Sequence, residues 1–244
     1  MQSQNRDPHS YYRLDASALS GFVTGPFQKN IPTLAPTALP QAGGFATART
    51  GAFNLDELVS ASSAYTLVTA RRSEDGSTLA LATAVIEDLN ILEIVTARRI
   101  VAQITVSIPE GGKPRRISFA GSRFEGLRLA GHDRVVRLSR TLQPVDSSGD
   151  PELPLPWQGF LDDHGQSRTP GSLVEGFEGP RETHWDGHIF KIPGYGEIIL
   201  GRLDVTHESV QLISIRAVLG CQVGGVVTGP TPMISGGGAS GGDH

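Results

Sequence analysis

The 244-residue sequence holds a single cysteine, Cys221. One thiol excludes an intramolecular disulfide and any zinc site built on several thiolates. Cys221 lies in an apolar, strand-like setting and reads as a small core residue rather than a reactive thiol. No run of about 18 apolar residues occurs, so no helical membrane span is expected. Asp7, His9 and Asp15 interrupt the apolar run that a secretory signal would need, so no cleavable leader is expected either. Charged residues make up only 19 %, and a net charge of -4 excludes a broadly basic nucleic-acid binder. Motifs of nucleophilic and nucleotide chemistry are missing. There is no G-x-S-x-G, no P-loop and no G-x-G-x-x-G opening a helix. Gly194-Tyr195-Gly196 follows Pro193 and reads as a tight turn.

Helical periodicity is almost absent as well. The one helix-like piece runs from Asn54 to Ser60, where Asn54 is placed to cap a turn. What the chain has instead is 30 Gly, 16 Pro and 38 % hydrophobic residues. That apolar share is enough for a core and argues against wholesale disorder. The apolar residues recur at period two, or run continuously between turn signals, as strands require. Residues 64–70 and 78–86 read as a hairpin around Asp75-Gly76. Ile100 to Ile108 alternates cleanly, with Ile100, Ala102, Ile104, Val106 and Ile108 on the inward face. Arg116 to Ala120 starts a return strand after a Gly-Gly-Lys-Pro turn. Further strands are expected at His188–Ile192, Glu197–Val205, Ser209–Leu219 and Gln222–Val227.

These signals predict an all-β fold, a β-sandwich or jelly-roll-like pair of sheets. Residues 1–20 read as an arm. Residues 21–50, with Pro26, Pro32, Pro36 and Pro40, read as an extended lead-in. Residues 51–229 are expected to form a single β domain, interrupted by one long Pro/Gly/Asp-rich loop over 143–187. Residues 230–244 form a Gly-rich tail.

Charge is segregated. From Ala97 to Arg140 there are ten Arg or Lys against three acids, whereas from Pro144 to Asp186 nine acids face two Arg. Two readings stand: arginine-guarded sheet edges beside a solvated acidic loop, or an acidic loop that docks on a basic sheet of this subunit or a neighbour. The second makes Arg98, Arg99, Arg115, Arg116 and Arg123 interface candidates. Few aromatics interleave with them, which argues against a nucleic-acid partner.

Three side-chain groups are candidate sites. On a continuous strand His184, Asp186 and His188 would share one face, a plausible zinc triad. Asp146, Asp150 and Glu152, or Asp162 and Asp163, would offer oxygens to calcium. Trp157, Phe160 and Trp185 beside Asp162 and Asp163 would suit a sugar ring, so a calcium-assisted carbohydrate or surface-ligand module is one alternative function, and a metal-dependent enzyme using His184, Asp186 and His188 is another. No cofactor is demanded by these patterns; calcium and zinc are the ones they would take.

Four pieces resemble one known group: Pro36-Thr37-Ala38-Leu39-Pro40 with Gly43-Gly44; Ala80 to Ile86 followed by Glu87-Asp88-Leu89-Asn90-Ile91-Leu92; Gly121 to Gly131; and Ile192-Pro193-Gly194-Tyr195-Gly196-Glu197-Ile198. With them the chain resembles the choice-of-anchor P family of bacterial surface-associated β proteins. That resemblance implies a non-enzymatic β protein placed extracellularly or at the cell surface, with no catalytic residues to transfer. Together with the Pro- and Gly-rich ends, it leads to the expectation of a non-catalytic structural subunit. Its partners would be copies of itself, assembled as a homo-oligomer or filament.

Overall fold

The computed structural model describes residues 13–25, 28–40, 43–74, 76–108, 116–139, 171–178, 184–186, 188–205 and 209–220. The described residues are all β, with no helix. The first strands are β1 (Arg13–Val23), β2 (Lys29–Leu34), β3 (Thr37–Ala38), β4 (Gly44–Thr50), β5 (Phe53–Leu55) and β6 (Val59–Ala61). Next come β7 (Ser63–Arg72), β8 (Thr78–Ile91), β9 (Val95–Ile108), β10 (Arg116–Ser118), β11 (Arg123–Glu125), β12 (Arg128–Leu129) and β13 (His132–Asp133). The last are β14 (Val136–Leu138), β15 (Gly171–Ser172), β16 (Val174–Phe177), β17 (Trp185–Asp186), β18 (Ile189–Ile192), β19 (Gly196–Val205) and β20 (Ser209–Leu219).

One sheet is an antiparallel meander. β4 and β5 form its outermost line, β6 and β7 the next, then β8 and β9, with β10, β11 and β12 laid end to end along the far side of β9. The predicted hairpin is present: Arg72 pairs with Thr78, and Gly76 turns at φ 77°. The predicted helical turn after Asn54 is corrected. Asn54 does accept a hydrogen bond from the backbone of Glu57 (3.1 Å), as a helix cap would, but Asp56 and Glu57 have φ of 47° and 61°. Both central residues at positive φ make a two-residue hairpin turn, closed by Leu58 N donating to Leu55 O. Asn90 does the same for Glu93 at the tip of β8–β9, where Leu92 and Glu93 also have positive φ. The two tips are bonded to each other, Leu92 N to Leu58 O at 2.9 Å.

The meander changes face partway along. Even positions are buried from Ala64 to Ala70, from Ala80 to Ile86 and from Ile100 to Val106, but odd ones at Val59, Ala61, Leu89, Ile91, Val95 and Ala97. The switch falls in one row across the strands, where each spends two consecutive residues outward: Ser62-Ser63, Glu87-Asp88 and Arg98-Arg99. Gly51-Ala52 and Glu125-Gly126 lie in line with them. Asp88 takes φ 48° there, and Ser62 Oγ donates to its carboxylate at 2.7 Å. Gly126 is required at its place. Its φ is 63°, and a Cβ would come within 3.2 Å of the Arg98 Cβ.

The second sheet has the order β17-β18-β19-β20-β1-β2, with β15 on β19 and β3 on β1. At its centre β1 runs parallel to β20, Arg13 opposite Ser209 through Val23 opposite Leu219. This corrects the expected arm and lead-in. Residues 13–23 form a central strand with Leu14, Ala18 and Leu19 fully buried, and residues 29–50 supply strands to both sheets. Gly21 lies so close to β20 that a Cβ there would collide with the Ala217 carbonyl. The stretch expected as structureless over 143–187 also contains strands. Ser172 Oγ donates to Leu200 O, and Leu173 N to Gly201 O, fastening β15 to β19. β16 pairs with β14 as a small third sheet.

The two large sheets stack as a sandwich, β1 lying against β7 and β8. The meander side of the interface carries five alanines, Ala70, Ala80, Ala82, Ala84 and Ala102, beside Val68, Ile104, Val106 and Ile117. The other supplies Leu14, Leu203, Val210 and Leu212. The alanines let the two layers approach closely at these positions. Phe119 and Leu173, both 0 % exposed, close this part of the core, and a second cluster around Ile86, Leu127, Phe190 and Ile215 fills the other.

Candidate functional site: a partly exposed sheet face and its edge strand

The strand register assigns the outward face of the meander. One row reads Phe45, Thr69, Leu81, Thr105 and Ser118; the next reads Thr47, Leu67, Thr83 and Gln103; the third reads Arg49, Tyr65, Val85, Val101 and Arg123. Most of its side chains are partly exposed. Its middle is hydroxyl and aliphatic, and arginines stand at its margins. Val101, expected to face solvent, is buried beside Val85. At one end Phe45 is 72 % exposed and Tyr65 37 %. Next to them is an open depression of about 530 Å³ bounded by Thr47, Arg49, Ser63, Tyr65, Leu67 and Glu87.

This face ends on β4. Among the described residues β4 pairs with β7 alone, so no described strand hydrogen-bonds to its other side. The strand Gly44-Phe45-Ala46-Thr47-Ala48-Arg49-Thr50 is seven residues long, with Arg49 as its one charge. It has no proline, no lysine and no inward charge, the usual guards of an exposed edge.

The interface arginines lie beside this face but are engaged within the subunit. Arg98 and Arg123 both reach Glu125, at 3.0 and 3.1 Å, and Arg99 lies 3.7 Å from Glu87 and 3.4 Å from the Tyr65 hydroxyl. Ser63 Oγ donates to Glu87 at 2.8 Å. The result is a polar band along the row where the strands switch face. Exposed pairs of this kind contribute little stability individually. Arg116 pairs with Ser107 through its backbone, and Arg115 lies outside the described residues.

The expected triad is not assembled as a strand face. The strand stops at Asp186, and Trp185 and Asp186 pair back onto Phe190 and Ile189 in a tight hairpin. Asp186 takes an ion pair from Lys191 at 2.8 Å, which holds its carboxyl below the usual range and the ammonium above its own. The His184 ring meets the edge of Phe190 at 6.2 Å. Burial, then the nearby Arg202 guanidinium, lower the pKa of His188, opposing the pull of Asp186. Among the described residues no group of three His, Cys, Asp or Glu is placed to hold a metal.

Trp185 is turned inward. It is half-buried and packs edge-on against Phe177 with ring centroids 4.8 Å apart, against the core cluster. Trp157, Phe160, Asp162 and Asp163, the calcium candidates Asp146, Asp150 and Glu152, and Cys221 lie outside the described residues. Sequence reasoning missed β4 as an edge because its prolines upstream suggested an unpaired lead-in. The missed signal was the alternation of Phe45, Thr47 and Arg49 with Ala46 and Ala48. No helix among the described residues is long and apolar enough to cross a membrane.

The profile of a family described as Domain of unknown function (DUF8256) matches residues 10–158. The match takes in the whole meander and β1 to β3, and stops short of β19 and β20. No curated protein and no solved structure matches the chain.

Proposed function

The chain belongs to the DUF8256 family, and we propose that it is a non-catalytic structural subunit that assembles with copies of itself into a homo-oligomer or filament. One observation carries this reading: a seven-residue edge strand, β4, with no described partner on its outer side, continuous with a partly exposed sheet face. Unpaired main-chain groups on such an edge template the addition of another strand, and hydroxyl and aliphatic side chains on the flanking face tolerate desolvation better than charges do. The resemblance to choice-of-anchor P proteins supports a bacterial surface as the place of assembly.

The test is the native mass of the full chain. Size-exclusion chromatography with light scattering, followed by negative-stain imaging, should report species well above the 25.9 kDa of one chain. A strictly monomeric protein at its highest soluble concentration overturns the proposal.

A further inference from the structure

Resting on the self-assembly reading, we propose that two copies join through their β4 strands, paired antiparallel about a twofold axis at Thr47, so that two meanders become one continuous sheet. The occupant of the open edge is thus a second copy of this chain, and the contact is isologous.

The register follows from the side chains. Phe45, Thr47 and Arg49 point to the same face, and Thr47 and Arg49 are exposed like Phe45. A twofold at Thr47 places Thr47 against Thr47 of the second copy, and each Phe45 against the Arg49 of the other. Hydroxyls facing across a strand pair hydrogen-bond. A guanidinium over an aromatic face is attracted by the ring's negative quadrupole and covers its apolar surface. That contact is made twice and gives a partner to Phe45, the most exposed large apolar side chain among the described residues. Other pairings do worse. A twofold at Arg49 sets two guanidiniums opposite each other. A twofold at Phe45 leaves both Arg49 side chains outside the pair. Parallel pairing of the two edges turns one copy over, so Phe45 of one copy and Arg49 of the other fall on opposite faces. On the opposite side of the strand Ala46 meets Ala48, small enough to let the backbones close to ladder distance. Beyond Thr50 the outward Gly51-Ala52 step, where the sheet switches face, ends the paired stretch.

The experiment uses two full-length variants, Thr47→Lys and Thr47→Glu, each measured alone and in a 1:1 mixture by sedimentation velocity. Thr47 is exposed, so both should fold, which thermal melts check. At a twofold, one substitution places like charges directly opposite each other. Each variant alone should therefore weaken association roughly tenfold or more, and the mixture should recover it as a Lys–Glu heterodimer. If Thr47→Lys instead strengthens binding while Thr47→Glu weakens it, the edge is taken by an acidic segment and the twofold is wrong. If neither variant changes the mass of an assembling wild type, β4 pairing fails while self-assembly stands. If the wild type itself is monomeric, both readings fall.

Discussion

The edges β2 and β4 lie at similar places in their two sheets and are built in opposite ways. β2 exposes Lys29 and Pro32 and drives Ile31 and Leu34 into the core, where each is 3 % exposed. Lys29 is also tied to Asp56 at the neighbouring hairpin tip. Proline and lysine make that edge a poor template, and the two buried side chains make it hard to peel away. β4 has none of these features. Its inward side chains are the half-buried Ala46 and Ala48, and its outward ones include an exposed phenylalanine. The other described edges are fragments of two to four residues. The difference is one of charge, backbone donors and anchoring between two edges of similar length.

The comparison breaks most visibly on the guarded side. Ile31→Ala opens a cavity behind β2 and should cost about 2–5 kcal/mol, whereas Ala48→Gly behind β4 should cost only about 0.5–1 kcal/mol. Urea denaturation of both variants measures the contrast; equal losses would show that β4 is anchored as firmly as β2. Pro32→Thr restores a donor to the guarded edge and should leave stability within about 0.5 kcal/mol. It should also add larger species to the sedimentation profile; an unchanged profile would show that Pro32 is not what blocks β2.

The smallest effect belongs to the far end of the same sheet, the β17–β18 hairpin. The folded pKa of His188 lies below the ordinary 6.5, so the unfolded chain binds the proton more readily. Its contribution is complete above about pH 6.5 and is lost as pH falls through the lowered folded value. The drop in melting temperature on going from neutral to acidic buffer should therefore be smaller for His188→Asn than for the wild type. Equal drops would leave His188 without a part in it.

Much of the fold was legible because the meander is local. Alternation at Ile100 to Val106 and the Asp75-Gly76 turn name their own partners, and a neighbouring hairpin supplies them. β1 was not legible for the opposite reason. Its Ala16, Ser17 and Ala18 are buried by flanking strands and not by their own hydrophobicity, and its main partner lies almost the whole chain away. Asn54 misled because a side chain accepting from the third residue on is common to helix caps and to this hairpin. The row where the sheet switches face was written as doubled outward residues, Glu87-Asp88 and Arg98-Arg99, but only the register shows that the doublets align. The metal triad failed for want of a continuous strand beyond Asp186.

The parallel union of β1 with β20 has a mechanical side. Tension entering ahead of Arg13 and leaving beyond Leu219 would pull the two strands lengthwise past each other, loading the rungs of the ladder together instead of unzipping them singly. A subunit strained through those two points would resist in shear, the orientation in which paired strands hold best, and would yield abruptly instead of creeping.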